Sequence, residues 1–143
     1  MNMFELVAAF MTAAATTITA VLTALRYRHE RALERRAFVR ATIIEVTQSE
    51  NGQSRNSYRL KLHNAGKARA TNLRLLLDGQ EARPYEAVGA MAIMSRIPHH
   101  LEPGGEALLR FTLFLGGDIP TKLTVLWDDL AGSSHCSSLD LSV

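Results

Sequence analysis

The chain has 143 residues, of which 47% are hydrophobic, and its single cysteine, Cys136, cannot form an internal disulfide bond. This length suffices for one domain and an appendage, and the composition suits a globular core rather than a disordered chain. The formal net charge is +2, but residues 41–143 carry ten basic and eleven acidic side chains. They therefore lack the basic excess of a nucleic-acid-binding domain, and we predict no nucleic-acid partner.

The first predicted element is an apolar helix over residues 1–25. Glu5 is the only charged side chain from Phe4 to Leu25, and these 22 residues would rise about 33 Å as a helix, enough to cross a hydrocarbon core of about 30 Å. The alternatives are a soluble or interfacial helix and a cleaved signal peptide. Glu5 stands where a signal peptide is basic, so we predict a single transmembrane span.

One face of this predicted span is a stripe of threonines. They recur at intervals of four, three and four residues, which places them on one side of a helix: Thr12, Thr16, Thr19 and Thr23. Small residues allow close approach of helices in lipid, and threonine hydroxyls hydrogen-bond across helices. The stripe therefore favours self-association or a partner helix, with a polar pore lining as a further option. The alternative is that each hydroxyl binds its own helix.

A basic arm follows the span over residues 26–37 and is predicted to continue the helix out of the membrane. Its arginines face lipid headgroups in this interpretation: Arg26, Arg28, Arg31, Arg35 and Arg36. The simplest function of the arm is a topology signal, and a regulated lipid switch is the alternative. The positive-inside rule and the lack of a disulfide place the arm and the following domain in the cytoplasm. We expect the inner membrane, with the N-terminus outside.

From Phe38 the hydrophobic pattern changes from helical to alternating. Six predicted strands are separated by turn sequences rich in glycine and asparagine, and they cover 38–47, 58–63, 72–77, 109–115, 122–127 and 139–143. A seventh, poorer pattern lies near 91–97. Short strands at this spacing indicate a mainly β fold, a seven-stranded antiparallel sandwich over residues 38–143. The alternation points Trp127 into its core.

Two motifs carry a resemblance to a known family. The first runs from Leu62-His-Asn64-Ala-Gly66 to Asn72-Leu-Arg-Leu-Leu-Leu77, and the second is Leu101-Glu-Pro-Gly-Gly-Glu106. Together they resemble bacterial immunoglobulin-like domains of the CARDB and NEW3 type over residues 40–143, although one glycine is added in the second motif. The resemblance implies an immunoglobulin-like sandwich that functions as an adaptor or binding domain, and it implies no catalytic residues. Asn64 and Gly66 fit turn conformations, and the asparagine side chain is expected to hold loop amides.

The chain lacks a recognisable catalytic or metal-binding pattern. His99 and His100 are adjacent, as are His135 and Cys136, and neighbours in a strand point to opposite faces. None has the spacing of zinc ligands, and Cys136 has no identifiable activating third group. We therefore predict no enzyme, no metal and no cofactor, and we expect Asp128 and Asp129 to shape a turn.

Two surfaces are candidates for partner binding. Three apolar residues interrupt the polar faces of their strands and would form an exposed patch if they cluster: Leu76, Phe114 and Leu126. The alternative is that they pack at an edge or under the helix. The irregular segment 85–100 offers a binding loop with three apolar residues, Met91, Ile93 and Met94, or else the seventh strand and its connection.

These features favour a membrane-anchored, non-catalytic adaptor or accessory subunit whose sandwich binds a protein partner. Its expected partners are the lipid bilayer and a protein, or a second copy of the chain through the span. One alternative is an oligomerising, membrane-perturbing effector of the bacterial defence type, in which the β-domain senses a signal. The other is an envelope-facing binding module with the opposite topology.

Overall fold

The computed structural model describes residues 2–50 and 53–142, which form two compact units, Met1–Glu34 and Arg35–Val143. The first unit is one helix and the second is built from strands. The prediction of a mainly β fold with one N-terminal apolar helix is confirmed.

The helix, α1, spans Met3–Glu34 and has 32 residues, a rise of about 48 Å. It contains no glycine or proline, and it continues without interruption through the predicted span and through residues 26–34 of the predicted arm. No residue of α1 is buried. The helix is long and apolar enough, by length and composition, to cross a membrane.

The predicted helical arm is wrong for residues 35–37, which lie beyond the end of α1. Their backbone is held by the β-unit instead. The Arg36 carbonyl accepts a hydrogen bond from the Lys67 N–H at 3.0 Å, and the Ala37 N–H donates to Asp129 Oδ2 at 2.8 Å. Because these partners are distant in sequence, the local pattern of the arm gave no sign of them.

The β-unit contains ten described strands rather than the seven predicted. They are β1 (Val39–Glu50), β2 (Gln53–Asn64), β3 (Ala70–Leu77), β4 (Gln80–Glu81), β5 (Ala87–Val88), β6 (Met91–Ile93), β7 (His100–Leu101), β8 (Glu106–Leu113), β9 (Lys122–Asp129) and β10 (Gly132–Asp140). All their pairings are antiparallel. One sheet has the order β1-β2-β8-β6-β5, and the other has the order β10-β9-β3-β4, with β7 also paired to β3.

The last strand was predicted too late in the chain. It was expected at 139–143, whereas β10 begins at Gly132 and pairs with β9 as far as Asp140 opposite Lys122. Only alternate residues of β10 are half-buried, among them His135 and Ser137. β10 is an edge strand, and its inner face carries polar residues along most of its length. The alternation of apolar and polar residues is therefore visible in the sequence only at the C-terminal end of the strand.

One apolar core includes inward side chains from both sheets. It contains leucines and valines of the long strands together with Met91, Ile93 and Trp127. Trp127 is 3% exposed, which confirms its predicted inward orientation. Burial of such a ring removes the largest apolar surface that a single side chain carries from water.

Asn64 is completely buried and joins three parts of the β-unit. Its Oδ1 accepts the N–H groups of Phe38 at 3.1 Å and Gly66 at 3.0 Å. Its Nδ2 donates to the carbonyls of Ala68 at 2.8 Å and Leu101 at 3.1 Å. The side chain thus uses both its amide hydrogens and its oxygen, which removes the cost of burying a polar group.

The two motifs that carry the family resemblance touch each other through backbone hydrogen bonds. The Asn64 N–H donates to the Gly105 carbonyl at 3.0 Å, and the Gly104 N–H donates to the Asn64 carbonyl at 2.8 Å. Gly66 lies so close to the entering chain that a Cβ there would stand 2.5 Å from the Arg36 carbonyl oxygen. Glycine is therefore required at position 66 for steric reasons.

Candidate binding surfaces

The threonine hydroxyls of α1 bind the backbone of their own helix. Each donates to the carbonyl four residues earlier: Thr12 to Ala8, Thr16 to Thr12, Thr17 to Ala13, Thr19 to Ala15 and Thr23 to Thr19. This arrangement satisfies the hydroxyl hydrogens without a second helix, which makes the stripe compatible with lipid. Any helix association along the stripe then depends on shape rather than on donated hydrogen bonds.

We expect full-length chains to associate in vesicles through this stripe, and the quadruple variant T12V/T16V/T19V/T23V to associate equally, because valine matches the shape of threonine. The corresponding leucine variant is expected to lose association, since added bulk separates the helices. Energy transfer between labelled full-length chains measures both. The control V7L/V21L adds bulk elsewhere on the helix. Loss of association in the valine variant would instead show that the threonine hydroxyls form hydrogen bonds between helices. Association of the leucine variant would exclude the stripe as the interface.

The arginines of the basic arm are divided between the two units. Arg26, Arg28 and Arg31 are exposed on the last turns of α1, and Arg31 lies over the Tyr27 ring at 4.8 Å. Arg35 and Arg36 belong to the β-unit. Within the described residues none of the five forms an ion pair. Their charges are therefore free to meet anionic groups outside the chain.

The predicted apolar patch does not form as a single surface. Leu76 and Leu126 are half-buried on neighbouring strands, opposite Thr124 and Arg74 respectively. Phe114 is 49% exposed and follows β8, in the other sheet. The structure therefore brings two of the three residues together and separates the third.

The segment 85–100, predicted as an apolar binding loop or as the seventh strand, contains strand β6 at Met91–Ile93, and these residues are in the core. Met91 and Ile93 lie in β6 and are buried, so they offer no surface to a partner; that prediction is corrected. Pairing of β6 with β8 explains the burial, because it places both side chains over the core. Met94 is half-buried and lines a groove at the surface.

This groove lies where β2 and β8 separate. Their ladder ends at the pair Arg59–Arg110, although β2 begins at Gln53 and β8 continues to Leu113. Residues 111–113 of β8 pair with β6 on their other side. The resulting groove of about 600 Å³ is lined by residues 57–59 and 110–113 together with Tyr85 and Met94. Its volume lies in the range of about 300–1,000 Å³ that is usual for ligand sites. We call it the β2–β8 cleft.

The two faces of the cleft differ in chemistry. One face is the continuation of the sheet face that covers the core. On it Tyr58 is 58% exposed and Leu113 is 52% exposed, and Tyr85, which is 63% exposed, also lines the cleft. Arg59 and Arg110 lie directly opposite each other on the outer side. Like charges in such a cross-strand pair repel. Neither arginine forms an ion pair within the described part of the chain.

Tyr85 adopts a backbone conformation that is unusual for its residue type. Its φ is +67°, in the left-handed region, while its N–H donates to the Ile93 carbonyl at 2.8 Å. A bulky residue pays a conformational cost there, and such outliers often mark binding positions. This backbone conformation places the tyrosine in the lining of the β2–β8 cleft. Sequence reasoning missed Tyr58, Arg59, Tyr85 and Arg110 as a group.

His135, Asp128 and Asp129 form a structural network at the β9–β10 turn. Asp129 Oδ1 accepts the N–H of Ala131 at 2.8 Å and lies 3.0 Å from His135 Nε2. Partial burial opposes ionisation of Asp129, but the backbone N–H donors and the nearby histidine outweigh it, so the pKa of Asp129 is lowered. The side-chain hydrogen bond from Asn72 and the Ser134 N–H likewise lower the pKa of Asp128. The expected turn-shaping role is confirmed.

His135 and Cys136 point to opposite faces of β10. The imidazole packs against Trp127, with ring centroids 6.1 Å apart, whereas Cys136 is exposed and pairs in register with Leu126. The geometry therefore does not bring the histidine to the thiol. No cluster of three or more metal-ligating side chains occurs in residues 2–50 and 53–142.

Comparison with known proteins gives no relative from which a function could be transferred. The chain matches no protein-family model and no curated protein. Its function is therefore inferred from the chemistry of its own surfaces: an exposed apolar helix, a basic flank and the β2–β8 cleft.

Proposed function

We propose that the protein is a membrane-anchored, non-catalytic adaptor or accessory subunit, in which α1 spans a bilayer and the β-unit binds a protein partner. The observation that carries the proposal is the exposure of α1. Its apolar side chains, including Phe10, Ile18 and Leu22, are all exposed. Residues 6–25 carry no charged side chain on any face of the helix. Such a segment favours an apolar environment, and a bilayer supplies one.

The charge distribution supports one orientation of this span. Arg26, Arg28 and Arg31 follow the apolar segment, whereas Glu5 is the only charged side chain before Arg26. Basic side chains next to a span favour the cytoplasmic side. The proposal places the N-terminus outside and the β-unit in the cytoplasm at the inner membrane.

We also propose that the β-unit is an immunoglobulin-like sandwich related to the CARDB and NEW3 type. Seven of the ten strands have three or more residues, and in each sheet their order supports this assignment. The order β1-β2-β8-β6 corresponds to strands A-B-E-D of an immunoglobulin constant domain, and β10-β9-β3 corresponds to G-F-C. Such sandwiches commonly serve recognition rather than catalysis, which fits an adaptor.

Deletion of residues 1–25 tests the anchor. We expect the full-length chain to sediment with membranes and to remain there after an alkaline wash, because hydrophobic insertion resists charge neutralisation. The deleted chain is expected to remain in the supernatant. A second control, in which Arg26, Arg28 and Arg31 become glutamine, should still sediment. Sedimentation of the deleted chain with membranes would refute the anchor.

A further inference from the structure

Strands β2 and β8 separate in a way that leaves hydrogen-bonding backbone groups facing each other across the β2–β8 cleft. Continuing their register beyond Arg59–Arg110 would pair Asn56 with Leu113, yet the described structure leaves these two residues unpaired across the cleft. Both strands therefore have unpaired backbone groups inside the sheet at this point, whereas a regular sheet has such groups only at its outer edges.

The direction of the backbone groups follows from the bonds that are made nearby. The Arg110 carbonyl accepts the Met94 N–H at 2.7 Å, and the Arg110 N–H donates to Ser95 Oγ at 2.9 Å, so residue 110 faces β6. Successive residues of a strand face opposite sides, which turns the N–H and carbonyl of Leu113 toward the cleft. On β2, the bond from Asn64 to Gly105 shows that even-numbered residues face β8. Asn56 therefore also faces the cleft.

From this geometry we propose that the β2–β8 cleft binds an extended segment of a partner protein by strand addition, with glutamate or aspartate alternating with apolar residues. Unpaired strand edges are the usual template for such binding, and main-chain hydrogen bonds supply much of its affinity. This inference rests on the proposed function, because it names the kind of partner that the β-unit recognises.

The side chains of the cleft define the sequence of that segment. An added strand points alternate side chains to the two faces of the sheet. On the outer face they meet Arg59 and Arg110, whose mutual repulsion a carboxylate relieves. On the other face they meet the exposed parts of Tyr58, Leu113 and Tyr85, which favour apolar side chains. Charge complementarity thus identifies the occupant as an acidic, strand-forming peptide rather than a basic one.

The test uses the full-length chain in a neutral detergent and three fluorescent, end-blocked hexapeptides. The first alternates valine with glutamate, the second replaces glutamate by lysine, and the third is the first with alternate backbone nitrogens methylated. We expect fluorescence anisotropy to show binding of the first alone. Methylation removes the donors that pair with a strand edge, so equal binding of the third peptide would overturn strand addition.

Charge reversal then tests the role of the arginines. The variant R59E/R110E is expected to bind the glutamate peptide about tenfold more weakly or worse and to bind the lysine peptide instead. The control K67E makes the same kind of charge change in the exposed β2–β3 turn and should leave binding unchanged. An equal loss in K67E, or unchanged preference in R59E/R110E, would contradict the assignment. Since the assay needs no bilayer, failure here is distinguishable from failure of the anchor, which the deletion of residues 1–25 tests separately.

Discussion

Replacing Asn64 by aspartate is expected to destabilise the β-unit by about 3–5 kcal/mol, although the two side chains have the same shape. The substitution removes both donors to the carbonyls of Ala68 and Leu101 and sets a carboxylate oxygen against those two carbonyls. The position is completely buried, so water cannot replace the lost partners. Chemical unfolding of the detergent-solubilised full-length chain, followed through the fluorescence of Trp127, measures the effect.

A matched control separates this effect from a general change of charge. Asn56 is exposed on the same strand, and N56D should change the unfolding free energy by less than about 0.5 kcal/mol. The variant N64L removes the whole polar group and leaves the Phe38 and Gly66 N–H groups without their acceptor. It should also be strongly destabilised. Native-like stability of both N64D and N64L would show that Asn64 does not hold the three segments together.

The long elements could be predicted because their side chains repeat. The uncharged run before Arg26 predicted α1, and the alternation around Leu60, Leu75 and Val125 predicted three strands that the structure confirms. Three strands have two residues each, β4, β5 and β7, and so short a strand cannot show alternation. The start of β10 was missed because its inner face carries His135 and Ser137.

Only some of the hydrogen bonds of Asn64 could be predicted from the neighbouring sequence. The spacing of Asn64 and Gly66 predicted a turn in which the asparagine holds nearby amides, and its bond to the Gly66 N–H confirms this. Its bonds to Phe38 and Leu101 join residues 26 and 37 positions away. Such partners depend on how the sheets come together, which no local pattern contains.

The candidate site was the least predictable part. Arg59 and Arg110 each occupy an ordinary polar position in an alternating strand, and only the register places them opposite each other. The cleft exists because the β2–β8 ladder ends at Arg59–Arg110, while residues 111–113 of β8 pair with β6 on their other edge. The end of that ladder is a property of the assembled sheet and leaves no mark in the sequence of either strand. Sequence reasoning had also assigned Met91 and Ile93 of β6 to a surface loop as one of two alternatives. A signal was present in the exposed aromatic residues Tyr58 and Tyr85, which were not singled out.

In the proposed topology α1 crosses the membrane with the N-terminus outside and the β-unit in the cytoplasm, and Cys136 is a natural reporter of this orientation. This thiol is exposed and is the only one in the chain. We therefore expect a membrane-impermeant maleimide to leave Cys136 unlabelled in intact spheroplasts of a bacterial host and to label it after lysis. In the variant N2C/C136S the new thiol should be labelled in intact spheroplasts. Labelling of Cys136 before lysis, or protection of the thiol at position 2, would exclude this orientation.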